Sequence, residues 1–276
     1  MGADTVAGPA AVRVPRIEPS VRAGIAVAVI YTIIFYGLMI ALGPAYGDIF
    51  KTAEGAWKGA VIPLAAGSLF LIAFLLWARW DHVLRDPGRL FVTKLMWVPP
   101  LVLLVAGVLG VIVAPLADIS FNHVMAIVCA AILVGFAEET VFRGILLRGL
   151  RTHARSETHV LLISSGLFGI FHLSNAAAGA PLGGTVGQVF LAALAGVALY
   201  MARRVTGVLV AGMVVHCLWD MGAFFQGATD DSNNFALATV STAIALNAVL
   251  SIVIVVKLWR SKHQEAMTPT GPVPVS

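Results

Sequence analysis

From Ala23 onward the chain alternates long apolar stretches with short polar connections. Eight stretches stand out, roughly Ala23 to Leu42, Ala60 to Trp77, Leu95 to Leu116, Asn122 to Leu147, Val160 to Ala180, Leu182 to Met201, Val205 to Phe225 and Phe235 to Val256. Each is close to the roughly 20 residues that a helix rising about 1.5 Å per residue needs to cross bilayer hydrocarbon. The pattern predicts an all-α fold, a polytopic transmembrane helical bundle with about eight membrane helices. The fourth stretch is longer than a crossing requires, and the fifth is rich in Gly and Ser. Pro63 and the pair Pro99 and Pro100 fall near predicted helix starts, where a missing amide donor disturbs least, and read as starts or bends. Gly pairs inside the apolar stretches signal close helix packing.

Composition agrees with membrane residence. Hydrophobic residues make up 59% of the chain and charged residues 12%, about half the charged share of a soluble domain. The mean hydropathy is +0.92. The first stretch follows Arg13, Arg16 and Arg22 as a secretory leader would, but it is too long and no small-residue cleavage signal ends it, so it reads as a retained helix. With the N-terminus inside, eight crossings put on the cytoplasmic side Arg13, Arg16 and Arg22; Arg79, Arg85, Arg89 and Lys94; Arg148, Arg151 and Arg155; Arg203 and Arg204; and Lys257, Arg260 and Lys262. The opposite side receives Lys51 and Lys58 with Asp48, Glu54, Asp118, Asp230 and Asp231. Adding or removing one crossing would scramble this partition. The expected location is the cell membrane, N-in and C-in, with a bilayer as the first partner.

The formal charge of +4 does not indicate nucleic acid, because the basic residues are scattered over short connections without an aromatic platform. The expected organisation is a cytoplasmic N-terminal segment over 1–22, a transmembrane domain over 23–258, and a disordered cytoplasmic tail over 259–276, where Pro269, Pro272 and Pro274 leave little to bury. Cys129 and Cys217 sit within apolar stretches and read as small core residues. The sequence sets no oligomeric state.

Ionisable residues interrupt three of the stretches. In the fourth, Glu138 and Glu139 follow some 14 uncharged residues and precede Arg143. A carboxylate at bilayer depth is expensive without a partner, and two in succession need a reason. Glu139 and Arg143 stand four apart and share a helical face, so their charges offset each other, while Glu138 is turned about 100 degrees away. The fifth stretch carries Phe168 and His172, with Asn175 three residues further on the same face, and the seventh carries His216 and Asp220 four apart. Glu138, His172 and His216 fall within a few turns of mid-membrane, and one shared site is cheaper than three separate burials. The plain alternative is that the glutamates only anchor structure or cap a helix ending early at the interface.

Such a cluster suits water activation. A buried glutamate takes a proton from water, a histidine holds that water or donates to a leaving group, and a second histidine with a carboxylate polarises a carbonyl. Alternatively, Glu138, His172, His216 and Asp220 are of the ligand types that hold Zn²⁺. The sequence leaves these two mechanisms open. It lacks the HExxH arrangement of soluble zinc proteases, and Ser164 and Ser165 lack the leading Gly of a nucleophile elbow. A proton-coupled carrier would also bury Glu and His, but the three motifs lie in one half of the chain without a counterpart in the other.

The residues resemble the CAAX-protease and bacteriocin-processing family of intramembrane proteases, also called CPBP or Abi. Its EExxxR motif is matched by Glu138, Glu139 and Arg143, its FxxxH motif by Phe168 and His172, and its His followed four residues later by a polar residue by His216 and Asp220. Order and separation fit over roughly Ala130 to Phe225, with a family-like core of about 122–225. The resemblance implies an endopeptidase acting on a membrane-associated peptide or protein. Glu138 would be general base, His172 would help activate water, Glu139 and Arg143 would order the site, and His216 with Asp220 would stabilise an oxyanion or hold Zn²⁺. Position 220 is Asn in the eukaryotic prenyl-protein processing members; Asp donates no hydrogen bond unless protonated, which favours a metal-ligand or His-orienting role there. Non-enzymatic bacteriocin immunity or membrane scaffolding is the alternative the family suggests. The Ala, Gly, Val and Arg content fits a bacterial member in a cytoplasmic membrane, whose substrate need not be prenylated.

Overall fold

The apolar stretches fold as helices. The computed structural model describes residues 14–114, 116–154, 156–228 and 234–261, with the short pieces 267–268 and 271–272, and eight of its helices are long and apolar enough to cross a membrane. They are α1 Val21–Leu42, α2 Ala53–Ala78, α3 Lys94–Ile112, α4 Phe121–Leu150, α5 Glu157–Ala177, α6 Leu182–Thr206, α7 Leu209–Gly227 and α8 Asn234–Arg260. Apart from a two-residue antiparallel pairing of Met267–Thr268 with Gly271–Pro272 and an isolated bridge between Arg85 and Val208, the described secondary structure is helical. The chain is thus an all-α, multi-pass membrane protein. Arg13, Arg155, Asp230, Asp231, Lys262 and most of the expected disordered tail lie outside the described residues.

Local chemistry sets the helix ends. Ser20 accepts from the Ala23 amide at 3.2 Å, Thr52 from the Gly55 amide at 3.0 Å and Ser120 from the His123 amide at 3.3 Å, capping α1, α2 and α4. Gly207, left-handed at φ 76°, stops α6 and turns the chain at once into α7. The expected starts shift where polar residues join a helix. α2 begins seven residues before Ala60, its first turns carrying a Glu54–Lys58 pair at 2.5 Å. Pro63 therefore sits inside the helix, just after a wide π turn over Trp57–Val61, whereas Pro99 and Pro100 do start a helical segment.

α4 is the most buried of the eight helices. α7 packs between α4 and α3, α5 pairs with α6, α8 covers α3 and α6, and α1 with α2 closes the other flank of α4. Small residues make these crossings close. A Cβ on Gly107 of α3 would meet the Leu218 and Trp219 backbone of α7 at 2.6 Å, and one on Gly135 of α4 would meet the Met213 carbonyl at the same distance. Outward, large apolar side chains such as Leu76, Phe121 and Phe190 stay exposed, as a lipid-facing surface requires.

Connections expected to share a membrane side meet in space. At one end the Trp80 indole donates to the Ile17 carbonyl at 2.6 Å, Arg148 to the Asp81 carbonyl at 3.1 Å, and the Asp86 amide to Gly207 at 2.9 Å. At the other, the Tyr46 amide reaches Ala178 at 3.3 Å, and His123 Nε2 lies 2.9 Å from the Phe50 carbonyl.

Arg151, Arg203 and Arg204, read above as connection charges, are buried instead. Asp86, in the link from α2 to α3, accepts from Arg151 at 2.7 Å and from Arg203 at 2.6 and 3.0 Å. Glu157 completes the cluster with Arg151 and with the Tyr200 hydroxyl at 2.5 Å. The basic end of the bundle is therefore folded inward around its own ion pairs.

Candidate active site

Two successive residues of α4 have opposite surroundings. Glu139 and Arg143 are fully buried and bonded at 2.7 Å, one helical turn apart. The Arg143 guanidinium also lies 4.1 Å above the Phe168 ring of α5, a cation–π contact. Glu139 Oε1 further accepts from His216 Nδ1 of α7 at 3.2 Å, while its Oε2 rests against Gly212. A Cβ at that glycine would come within 2.8 Å of the oxygen, so the missing side chain is what admits the carboxylate. Glu138 instead faces a cavity of about 450 Å³. His216 Nε2 is 3.9 Å from the Glu138 carboxylate, beyond hydrogen-bond reach.

A change of helical winding accompanies this split. From Thr140 to Leu146 the helix is a π-helix, directly after the glutamate pair. Such wide turns recur at functional sites because they re-aim side chains without ending the helix. Arg203 of α6 donates to the Arg143 carbonyl within the wide turn. The ion cluster of the basic end is thereby bonded to the segment that carries the site's arginine.

Helices α5 and α7 supply the histidines. His172 follows the last regular turn of α5, and its Nδ1–H donates to the Phe168 carbonyl at 2.9 Å, which leaves Nε2 to present a lone pair. His216 has Nδ1 on Glu139 and Nε2 3.4 Å from Asp220 Oδ2, so either proton it carries meets a carboxylate. Both imidazoles pack edge-on against Phe168, with centroids 4.9 and 5.8 Å from that ring. Glu138, His172, His216 and Asp220 all line the one cavity.

A second polar group stands nearby. Asn175 accepts from the Tyr36 hydroxyl of α1 at 2.6 Å and donates to Gln188 of α6 at 2.8 Å, and all three line the cavity. The sequence marks Asn175 by its face, whereas Tyr36 and Gln188 carry no signal in the sequence beyond being polar groups in apolar stretches. Ser164 donates to its own helix at the Leu161 carbonyl, and neither it nor Ser165 is among the residues lining this cavity.

A Zn²⁺ site would need three or more donor atoms converging at about 2.0–2.2 Å from one point. Among the described residues no group of three or more His, Cys, Asp or Glu side chains is placed to hold a metal ion. The expected ligands Glu138, His172, His216 and Asp220 surround a space without forming a coordination set, because His216 is already turned onto Glu139 and Asp220. The arrangement does not fit the metal.

No curated protein and no solved structure matches the chain. Residues 120–222, which run from the cap of α4 into α7 and carry all six predicted site residues, match the family described as Type II CAAX prenyl endopeptidase Rce1-like. That assignment supports a hydrolytic function of the intramembrane CAAX-protease type, and with it the chain is seen to contain a Rce1-like domain.

Proposed function

We propose that the protein is an intramembrane endopeptidase that hydrolyses a peptide bond of a membrane-associated protein or peptide with water activated by Glu138 and His172. The observation that supports this most directly is the division within the glutamate pair. Glu139 is neutralised by Arg143 at 2.7 Å, whereas Glu138 has no such partner and faces the cavity shared with both histidines. A purely structural cluster would pair both carboxylates, because an unpaired one is costly at this depth.

In this reading water sits between the Glu138 carboxylate and His172 Nε2. Glu138 takes one proton as the water oxygen bonds to the substrate carbonyl carbon, and the negative charge moves to the carbonyl oxygen. His216, held through its Nδ1–H by Glu139, carries a second proton on Nε2 and turns that N–H from Asp220 to the developing oxyanion. Glu138 returns its proton to the amide nitrogen as the C–N bond breaks and the carbonyl re-forms, leaving a carboxylic acid, which still carries water's second proton, and an amine. Arg143 keeps Glu139 ionised as the anchor for His216. The expected location is a bacterial cytoplasmic membrane, with both termini inside.

The test uses purified chain in liposomes with two quenched fluorescent reporter peptides, one anchored by a prenylated cysteine and one by a single transmembrane helix. Cleavage of at least one is expected, with a loss of roughly 10²- to 10⁴-fold in His172→Ala and no loss after treatment with 1,10-phenanthroline. Folded protein that cleaves neither reporter, or a His172→Ala variant as active as the parent, would leave immunity or scaffolding as the better reading. Inactivation by the chelator, reversed by added Zn²⁺, would overturn the metal-free mechanism.

A further inference from the structure

Helix α8 lies outside the residues that match the family, yet it forms part of the cavity wall. Ile244, Asn247 and Ala248 of α8 face the same space as Leu191, Leu194 and Ala195 of α6. Most of what α8 presents outward is apolar, including Leu246, Val249, Ile252 and Val253. Asn247 is an exception in need of a reason.

Its near neighbour in the helix is already accounted for. Ser251, one turn on, donates to the Leu194 carbonyl at 3.0 Å and ties α8 to α6. Asn247 is only 3% exposed, and its Oδ1 is buried with no hydrogen-bond partner among the described residues. Leaving a buried amide oxygen unpaired opposes folding, so a group retained in this state points to a partner that arrives later. The contrast with Asn175 is informative: that carboxamide is held by Tyr36 and Gln188 and has its partners in place.

The chemistry of the partner follows from the reaction. A peptide bond can be attacked only where the substrate backbone is unwound, and an unwound segment within a membrane brings unpaired N–H and C=O groups that the enzyme must satisfy. A carboxamide offers one acceptor and two donors, the complement of a peptide group. Glu138, His172 and His216 are committed to the reacting bond in the mechanism above, and Asn175 to its own network. We infer that Asn247 is a substrate-binding residue whose carboxamide hydrogen-bonds the main chain of an extended, non-helical peptide segment lying in the cavity between α6 and α8. This rests on the hydrolytic reading, and it assigns substrate recognition to a helix beyond the matched domain.

Asn247→Leu keeps the size and removes the polar atoms. For the cleaved reporter, KM is expected to rise about tenfold with kcat changed by less than about threefold. The melting temperature should hold or rise, because the variant no longer buries an unpaired oxygen. Binding is measured separately, by anisotropy of each reporter with Glu138→Gln protein, and adding Asn247→Leu should weaken Kd by the same factor of about ten. A lower melting temperature with unchanged KM and Kd would make Asn247 a structural residue and overturn the proposal. Unchanged KM with normal wild-type cleavage would overturn it alone, whereas failure of the wild type to bind or cleave either reporter would overturn it together with the hydrolytic reading.

Discussion

Glu138→Gln is expected to lower reporter cleavage by roughly 10³-fold or more while leaving the chain folded and its melting temperature equal or higher. The amide has the shape of the carboxylate but cannot take a proton from water, and a positioned general base is worth on the order of 10²- to 10⁴-fold. Stability should not fall, because Glu138 is buried without a hydrogen-bonded counter-charge, His216 Nε2 lying 3.9 Å from its carboxylate. The same substitution one residue along should behave differently. Glu139→Gln removes the carboxylate that holds Arg143 at 2.7 Å and His216 at 3.2 Å, leaving a fully buried guanidinium without its counter-charge. Breaking a buried pair in this way costs about 3–5 kcal/mol, so Glu139→Gln should lose both stability and cleavage. Initial rates and thermal melts of the two variants, measured side by side in the same detergent, separate the roles. Glu138→Gln retaining more than about a tenth of wild-type activity would remove Glu138 from the chemistry.

The contrast between these neighbours is legible in the sequence. Four-residue spacing pairs Glu139 with Arg143 and turns Glu138 aside, and that is a local property of one helix. The eight crossings are legible for a similar reason, since hydrocarbon thickness demands about 20 apolar residues each time. What the sequence misplaces depends on partners far along the chain. Arg203 and Arg204 look like a polar connection because two adjacent cations do not belong in hydrocarbon, but α6 continues through them because Asp86 and the Phe91 carbonyl receive their guanidinia. The wide turn over Thr140–Leu146 leaves no mark in the spacing of Glu139 and Arg143. Nothing in their own stretches sets Tyr36, Gln188 and Asn247 apart from neighbouring hydroxyl-bearing residues, and their shared cavity exists only once α1, α6 and α8 are assembled with α4.

That long-range ion cluster carries the second large expected effect, on stability and its pH dependence. Arg203 is 1% exposed and donates to Asp86, to the Val83 carbonyl at 2.7 Å, to the His82 carbonyl at 2.9 Å and to the Arg143 carbonyl. Arg203→Met leaves Asp86 with Arg151 alone and frees three carbonyls, so a loss of about 3–5 kcal/mol is expected, or roughly 10 °C in melting temperature. Cleavage should fall with it, because the wide turn bearing Arg143 loses the hydrogen bond that Arg203 of α6 gives its carbonyl. Asp86 supplies the pH dependence. Burial alone would push its carboxyl up, but Arg203 and Arg151 outweigh burial and hold it below the ordinary carboxylate value. The folded chain therefore binds this proton less readily than the unfolded chain, whose carboxyl titrates near about 3.9. The contribution of Asp86 is complete above that value and is lost as pH falls through the lower, folded one. Asp86→Asn should accordingly melt well below the wild type at neutral pH, with the gap narrowing below about pH 4. Melting curves of the two proteins that run parallel across that range would show that Asp86 does not hold the α2–α3 connection through its charge.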